Sequence, residues 1–190
     1  MKITNIKEIT DFNGNMAIEC LIKNAEIKWA FLAEPSDMSG KYEVTIELDN
    51  EVEAEYISLC NKVWNTYKTA KKLKTKPQAV GFGEVKDEDG NETGIKKLVA
   101  KAIHTSRKGK VLPPPLVIDT SKQKIDLKEY PTIGNGTVAN VKVAIQAYEF
   151  NKQHGVSVKL LALQIVKLVE YSGSSVNTDD FDEIEDDEEF

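Results

Sequence analysis

Between Thr137 and Phe150 the side chains alternate. Ala139, Val141, Val143, Ile145 and Ala147 fall on one side, and Asn140, Lys142, Ala144, Gln146, Tyr148 and Phe150 on the other. A period of two places successive residues on opposite faces of an extended chain, so this segment is predicted to be a half-buried strand. The same period sets Tyr42, Val44, Ile46 and Leu48 against Lys41, Glu43, Thr45 and Glu47. It recurs from Ile95 to His104, with Leu98, Ala100, Ala102 and His104 on one face and Lys97, Val99, Lys101 and Ile103 on the other. One stretch has a clear helical period: Val52, Tyr56, Leu59, Val63 and Tyr67 form a single apolar stripe running to about Leu73. Glu51, Glu53 and Glu55 open it, Lys68, Lys71 and Lys72 close it in keeping with the helix dipole, and Pro77 ends it.

The remaining segments are shorter or more ambiguous. After the Asn13-Gly14 turn, one or two strands are expected as far as Ala33, with Ile27, Trp29, Phe31 and Ala33 sharing a face opposite Lys28, Ala30 and Leu32. Residues 77–94 read as loop or hairpin, and the basic loop Arg107-Lys108-Gly109-Lys110 leads into Pro113-Pro114-Pro115 and the short apolar run Leu116 to Ile118. Periodicity leaves Val156 to Val169 open between buried helix and strand; the hairpin-length turn before it and its valines favour strand. Five or more strands and one substantial helix, without regular strand-helix alternation, argue against a doubly wound parallel sheet. The expected fold is mainly β: a small, strongly curved antiparallel barrel carrying one helix.

Charge is distributed unevenly. The chain has 31 acids against 25 lysines and arginines, yet Asp179, Asp180, Asp182, Glu183, Glu185, Asp186, Asp187, Glu188 and Glu189 all lie near its end. Without them the body is mildly basic, with a formal charge of about +3. Beyond Ser172 the apolar content is too low for a core, so residues 1–172 are expected to form one domain and residues 173–190 a disordered acidic tail. No run approaches the roughly 18 apolar residues of a spanning helix, and the start lacks the apolar centre of a signal peptide, which predicts a soluble, intracellular protein with no membrane association. Cys20 and Cys60 lack metal-ligand spacing and read as buried free thiols.

Catalytic and cofactor motifs fail on their chemistry. Gly134-Asn135-Gly136-Thr137-Val138-Ala139 matches a dinucleotide-binding pattern, but its glycines lead into a strand, where no helix N-terminus can receive pyrophosphate. Asp87, Asp89 and Asn91 begin like a calcium loop, yet Glu92 stands where glycine is needed and Leu98 where the bidentate glutamate belongs. His104 and His154 have no acid or serine at a recognisable spacing, and His104 reads as a satisfied core histidine. No catalytic residue, metal or cofactor is expected, and the chain is not read as an enzyme.

What remains is a set of bases and aromatics on strands: Lys142, Tyr148 and Phe150 on one face, Lys97 and Lys101 on another, and Trp29 with Phe31 on a third. Aromatic faces that stack bases and ammonium groups that track phosphates together hold single-stranded nucleic acid. Tyr148 and Phe150 lie opposite a face already filled with valine and isoleucine, whereas Trp29 is open to either a core or a platform role. Arg107, the single arginine, is a candidate phosphate or stacking contact. The rival reading is an acidic-tailed adaptor or DNA mimic that binds protein, and a metal-dependent nuclease is a distant third.

Several blocks carry a family resemblance: Pro115-Leu-Val-Ile-Asp119, Pro131-Thr-Ile-Gly-Asn-Gly136, Val141-Lys-Val143, Ala147-Tyr-Glu-Phe-Asn151, Gly155-Val-Ser-Val-Lys-Leu160 and the Asp-Asp-Glu-Glu-Phe190 ending. Their order and spacing resemble the single-stranded DNA-binding proteins of T7-type bacteriophages over about residues 115–171 and the tail. The resemblance implies an OB-type barrel with a helix inserted among its strands, often a dimer, acting in phage DNA replication, recombination and repair in the cytoplasm of the infected bacterium. It also implies that Tyr148 takes the family's stacking tyrosine, Phe150 replaces a tryptophan, and Lys142 retains a backbone lysine. The tail's nine carboxylates, interrupted by Phe181, Ile184 and Phe190, are predicted to compete with DNA for the basic groove and, once displaced, to recruit phage DNA polymerase and helicase-primase; the alternative is a solubilising tail. Residues 77–114 depart from the family pattern, which loosens the assignments of Lys97, Lys101 and Arg107.

Overall fold

The alternating segment folds as the strand Thr137–Phe150, and all five of its inward residues are buried. The computed structural model describes residues 1–171, so the expected tail at 173–190 lies outside the described residues. In chain order the elements are β1 (Lys2–Thr10), β2 (Met16–Phe31), β3 (Lys41–Glu47), α1 (Glu53–Ala70), β4 (Gly83–Lys86), β5 (Glu92–Ile103), β6 (Leu116–Ile118), β7 (Thr137–Phe150) and β8 (Gln153–Lys167). Strands β2, β3, β5, β8 and β7 pair in that order and return to β2, closing a barrel; β1, β4 and β6 are additions at its margins. The closing pair β5–β8 is parallel, and the other pairs of the circuit are antiparallel. That order and closing pair are those of an OB-type barrel. The single helix among the described residues lies between the second and third strands of the circuit, β3 and β5.

The helix forms where the stripe predicts and packs against β2, β7 and β8. Its buried face comprises Tyr56, Cys60, Val63, Trp64 and Tyr67, so Cys60 and Trp64 join the stripe while Leu59 is only partly buried. The Asp49 carboxylate accepts the backbone N–H groups of Glu51 and Val52, each at 3.1 Å, which fixes the turn leading into the helix, whose N-cap residue Val52 makes no side-chain cap. Both cysteines are free and buried, and burial pushes each thiol up to about 12, so neither is a nucleophile at neutral pH.

Strand β2 has to serve two neighbours. Its first part pairs with β1 and β7, and its last part with β7 and β3. A bulge near Asn24, which adopts φ 52°, lets one strand bend around the barrel, and the Asn140 side chain holds the Asn24 N–H at 3.0 Å. A second irregularity falls at Trp29, φ 51°, whose N–H donates to Asn135 Oδ1 at 2.8 Å. This corrects the uniform alternation expected through Ala33. Ile27 is fully buried while Trp29 is 62 % exposed, so the two do not share a face and Trp29 is not a core residue. Strand β1 went unpredicted for the same reason: Asn5, φ 53°, breaks its period, and Ile3 is its one buried side chain. His104 is only half buried, meeting Tyr42 edge to face with ring centres 5.4 Å apart.

Candidate nucleic-acid interface

An open groove of about 890 Å3 crosses the outer face of the barrel. Its floor combines outward residues of β5 (Lys97, Val99, Lys101), β7 (Ala144, Gln146, Tyr148) and β8 (Ser157, Lys159). Its walls are the β1–β2 turn, carrying Phe12, and the segment Ala79 to Gly83, carrying Phe82. That second wall is fastened to β8, because Gln78 N–H donates to His154 O and Val156 N–H to Ala79 O, both at 2.8 Å. From below, the hydroxyl of buried Tyr56 donates to Gly81 O at 3.0 Å.

Tyr148 is placed by its cross-strand partner. It pairs with Gly155, and a Cβ there would lie 2.9 Å from Tyr148 Cε1 and Oη and 2.8 Å from Ala79 O. The ring therefore rests over bare backbone, and any side chain at 155 would displace the ring or the wall. Phe12 is fully exposed at the turn, and Phe82 is partly buried. Three aromatic rings thus border one concavity with Lys41, Lys97, Lys101 and Lys159.

The candidates from the sequence separate into groups. Tyr148, Lys97 and Lys101 meet in the groove. Lys142 and Phe150 lie on the outward face of β7 beyond either end of the lining; the Lys142 ammonium contacts the groove residue Glu19 at 2.7 Å, and Phe150 is 60 % exposed. Arg107 is exposed in the tight turn bridged by Thr105 and Val111, away from the lining. Trp29 and Phe31 are exposed outside it too, Phe31 opposite Glu43 on β3. Lys41, Lys159, Phe12 and Phe82 were missed. Lys41 was legible as an outward residue of its alternating strand, whereas Phe12 and Phe82 sit in turns that carry no periodicity.

Lys101 and Lys142 are already engaged by carboxylates. Lys101 Nζ is 2.7 Å from Glu43 Oε2, which also accepts the Ser39 hydroxyl at 2.9 Å. Burial pushes the Glu43 carboxyl up, but the hydrogen bonds from Lys101 and Ser39 and the lysine's charge outweigh it and hold it below the ordinary carboxylate range. Among the described residues, Lys41, Lys97 and Lys159 have no acidic partner within salt-bridge distance.

Fold and groove together define a class: an OB-type barrel whose outer face offers an open, cationic, aromatic-bordered channel. The chain belongs to the family described as "Enterobacter phage Enc34, ssDNA-binding protein", whose profile matches residues 18–190. Among solved structures, the single-stranded DNA-binding protein of bacteriophage Enc34 superposes with a TM-score of 0.58 at 14% identity, covering 95% of this chain and 98% of that one. The same protein in complex with ssDNA gives a TM-score of 0.59 at 15% identity, covering 89% and 99%. The bacteriophage T7 protein gp2.5, a single-stranded DNA-binding protein, gives 0.57 at 18% identity, covering 90% and 97%. At these identities the likeness establishes a shared fold. No curated protein sequence matches the chain significantly.

Proposed function

We propose that this chain is a non-enzymatic, sequence-tolerant single-stranded DNA-binding protein of phage replication, recombination and repair, working in the cytoplasm of the infected bacterium. The observation that carries the reading is the convergence of Tyr148, Phe12 and Phe82 with Lys41, Lys97 and Lys159 in one open groove. Aromatic faces accept any base, and lysines accept any phosphate, so such a channel binds strands with little regard to sequence. Lys142 and Phe150 extend the same β7 face at the groove's two ends. Arg107, Trp29 and Phe31 would meet a strand only where it continues beyond the groove.

The test is affinity for an oligothymidylate and for a duplex of equal length across a salt series. Single-strand binding should be preferred, and its logarithm should fall with log salt at about 0.7 per phosphate contact. Lys97→Ala should flatten that slope by about one contact. Binding indifferent to salt would remove the groove from consideration.

The proposed division is a binding domain over residues 1–172 and an acidic tail over 173–190. The tail reading is supported by nine carboxylates interspersed with Phe181, Ile184 and Phe190, and by a family match that continues to residue 190. Such a polyanion competes with DNA for a cationic groove and, once displaced, is free to recruit polymerase and helicase-primase. Truncation after Ser175 should tighten DNA binding, most visibly at low salt, and abolish capture of those partners. Unchanged behaviour in both assays would leave the tail no regulatory role.

A further inference from the structure

Two of the lysines on the strand path differ from the others in being neutralised where they stand, an observation that deepens the DNA-binding reading and rests on it. Lys101, in the groove, lies 2.7 Å from Glu43. Lys142, at its end, lies 2.7 Å from Glu19, itself part of the lining. Neither carboxylate is a loosely solvated surface group. The Glu43 side chain is only 14 % exposed and is anchored by Ser39 in the turn before β3, and that of Glu19 is 26 % exposed. Each glutamate comes from the strand paired with its lysine's strand: Glu43 sits directly opposite Lys101, and Glu19 lies diagonally from Lys142 across the β2–β7 pair. The backbone therefore holds both anions beside the path of a bound strand whether or not DNA is present.

We infer that Glu43 and Glu19 are resident anions that occupy the phosphate-binding capacity of Lys101 and Lys142 and so lower the protein's affinity for a single strand. A lysine whose charge is already met by a carboxylate neutralises no phosphate, so the strand keeps its condensed counterion there and none is released. A phosphate must either replace the carboxylate, leaving a partly buried anion without its partner, or leave the lysine unused. Lys41, Lys97 and Lys159 bear no such restraint among the described residues and dominate the salt dependence. The two glutamates set how readily a bound strand is given up, a property wanted in a protein that must yield DNA to processing enzymes.

Glu43→Gln keeps the acceptor for Ser39 and removes the charge, and Glu19→Gln does the same on the other strand. Both variants, checked as folded by thermal melting, are compared with wild type for binding to a labelled oligothymidylate across 50–200 mM NaCl, together with Lys101→Ala and Lys97→Ala. Each glutamine variant should bind more tightly and steepen the salt slope by about 0.7, an added gain of roughly 2.6-fold over a fourfold dilution of salt. Lys101→Ala should leave the slope near the wild-type value, while Lys97→Ala flattens it. If both glutamine variants retain the wild-type slope, or if Lys101→Ala flattens it as much as Lys97→Ala, the resident-anion inference is overturned while the DNA-binding reading stands. Failure of the wild type to bind the oligonucleotide at all would overturn both.

Discussion

Tyr148→Ala should weaken binding to an oligothymidylate by roughly 5- to 150-fold, the equivalent of about 1–3 kcal/mol for one lost base stack. The fold should survive the change. Tyr148 is on the outward face of β7, half exposed, and the inward residues that precede it, Ala147 and Ile145, keep the core contacts of that strand. The loss should be the same for mixed sequences and for oligothymidylate, because a stacking surface recognises the face common to all bases. It should also leave the salt slope unchanged, since no cation is removed. This separates the tyrosine from its lysine neighbours: Lys97→Ala alters the slope, Tyr148→Ala the intercept. Wild-type affinity in a folded Tyr148→Ala protein would eliminate the platform, and a changed slope would mean that the groove itself had rearranged.

The second large effect is expected at a residue that could never touch DNA through a side chain. Gly155→Ala places a methyl group 2.9 Å from the Tyr148 ring and 2.8 Å from the Ala79 carbonyl, closer than real Cβ contacts allow. The ring or the wall segment has to move. Overpacking of this kind costs about 1–3 kcal/mol, which for a chain of this size lowers Tm by several degrees. Binding should weaken at the same time, because the platform shifts while its chemistry is intact. A double-mutant cycle distinguishes the cause. If Gly155 acts by seating Tyr148, then adding Gly155→Ala to Tyr148→Ala should cost little further affinity, although the stability loss from Ala79 persists. Fully additive binding losses would mean that Gly155 matters through the Ala79–Gly83 wall and its Phe82, independently of the tyrosine.

Most of the barrel could be read from periodicity, because burial on one face of a strand imposes a period of two, and burial of a helix a stripe every three or four residues. This holds for β3, α1, β5 and β7, and the choice of strand for Val156 to Val169 matches β8. The charge division between a mildly basic body and an acidic end was equally a property of sequence alone. Periodicity failed where the backbone itself departs from extended geometry. The bulge at Trp29 reverses the faces on its two sides, and Asn5 breaks β1, in both cases through positive φ values that no apolar pattern encodes. Nor could the sequence indicate which outward residues converge. Lys97, Lys101, Lys159 and Tyr148 meet because the parallel pairing of Lys101 with Lys159 closes the barrel and joins segments nearly sixty residues apart. Phe12 and Phe82 join them from turns whose position is set by the strands they connect. The ion pairs of Lys101 and Lys142 belong to the same category. A lysine's charge is written in the sequence, but whether a carboxylate already holds it depends on strand register, which only the closed barrel decides.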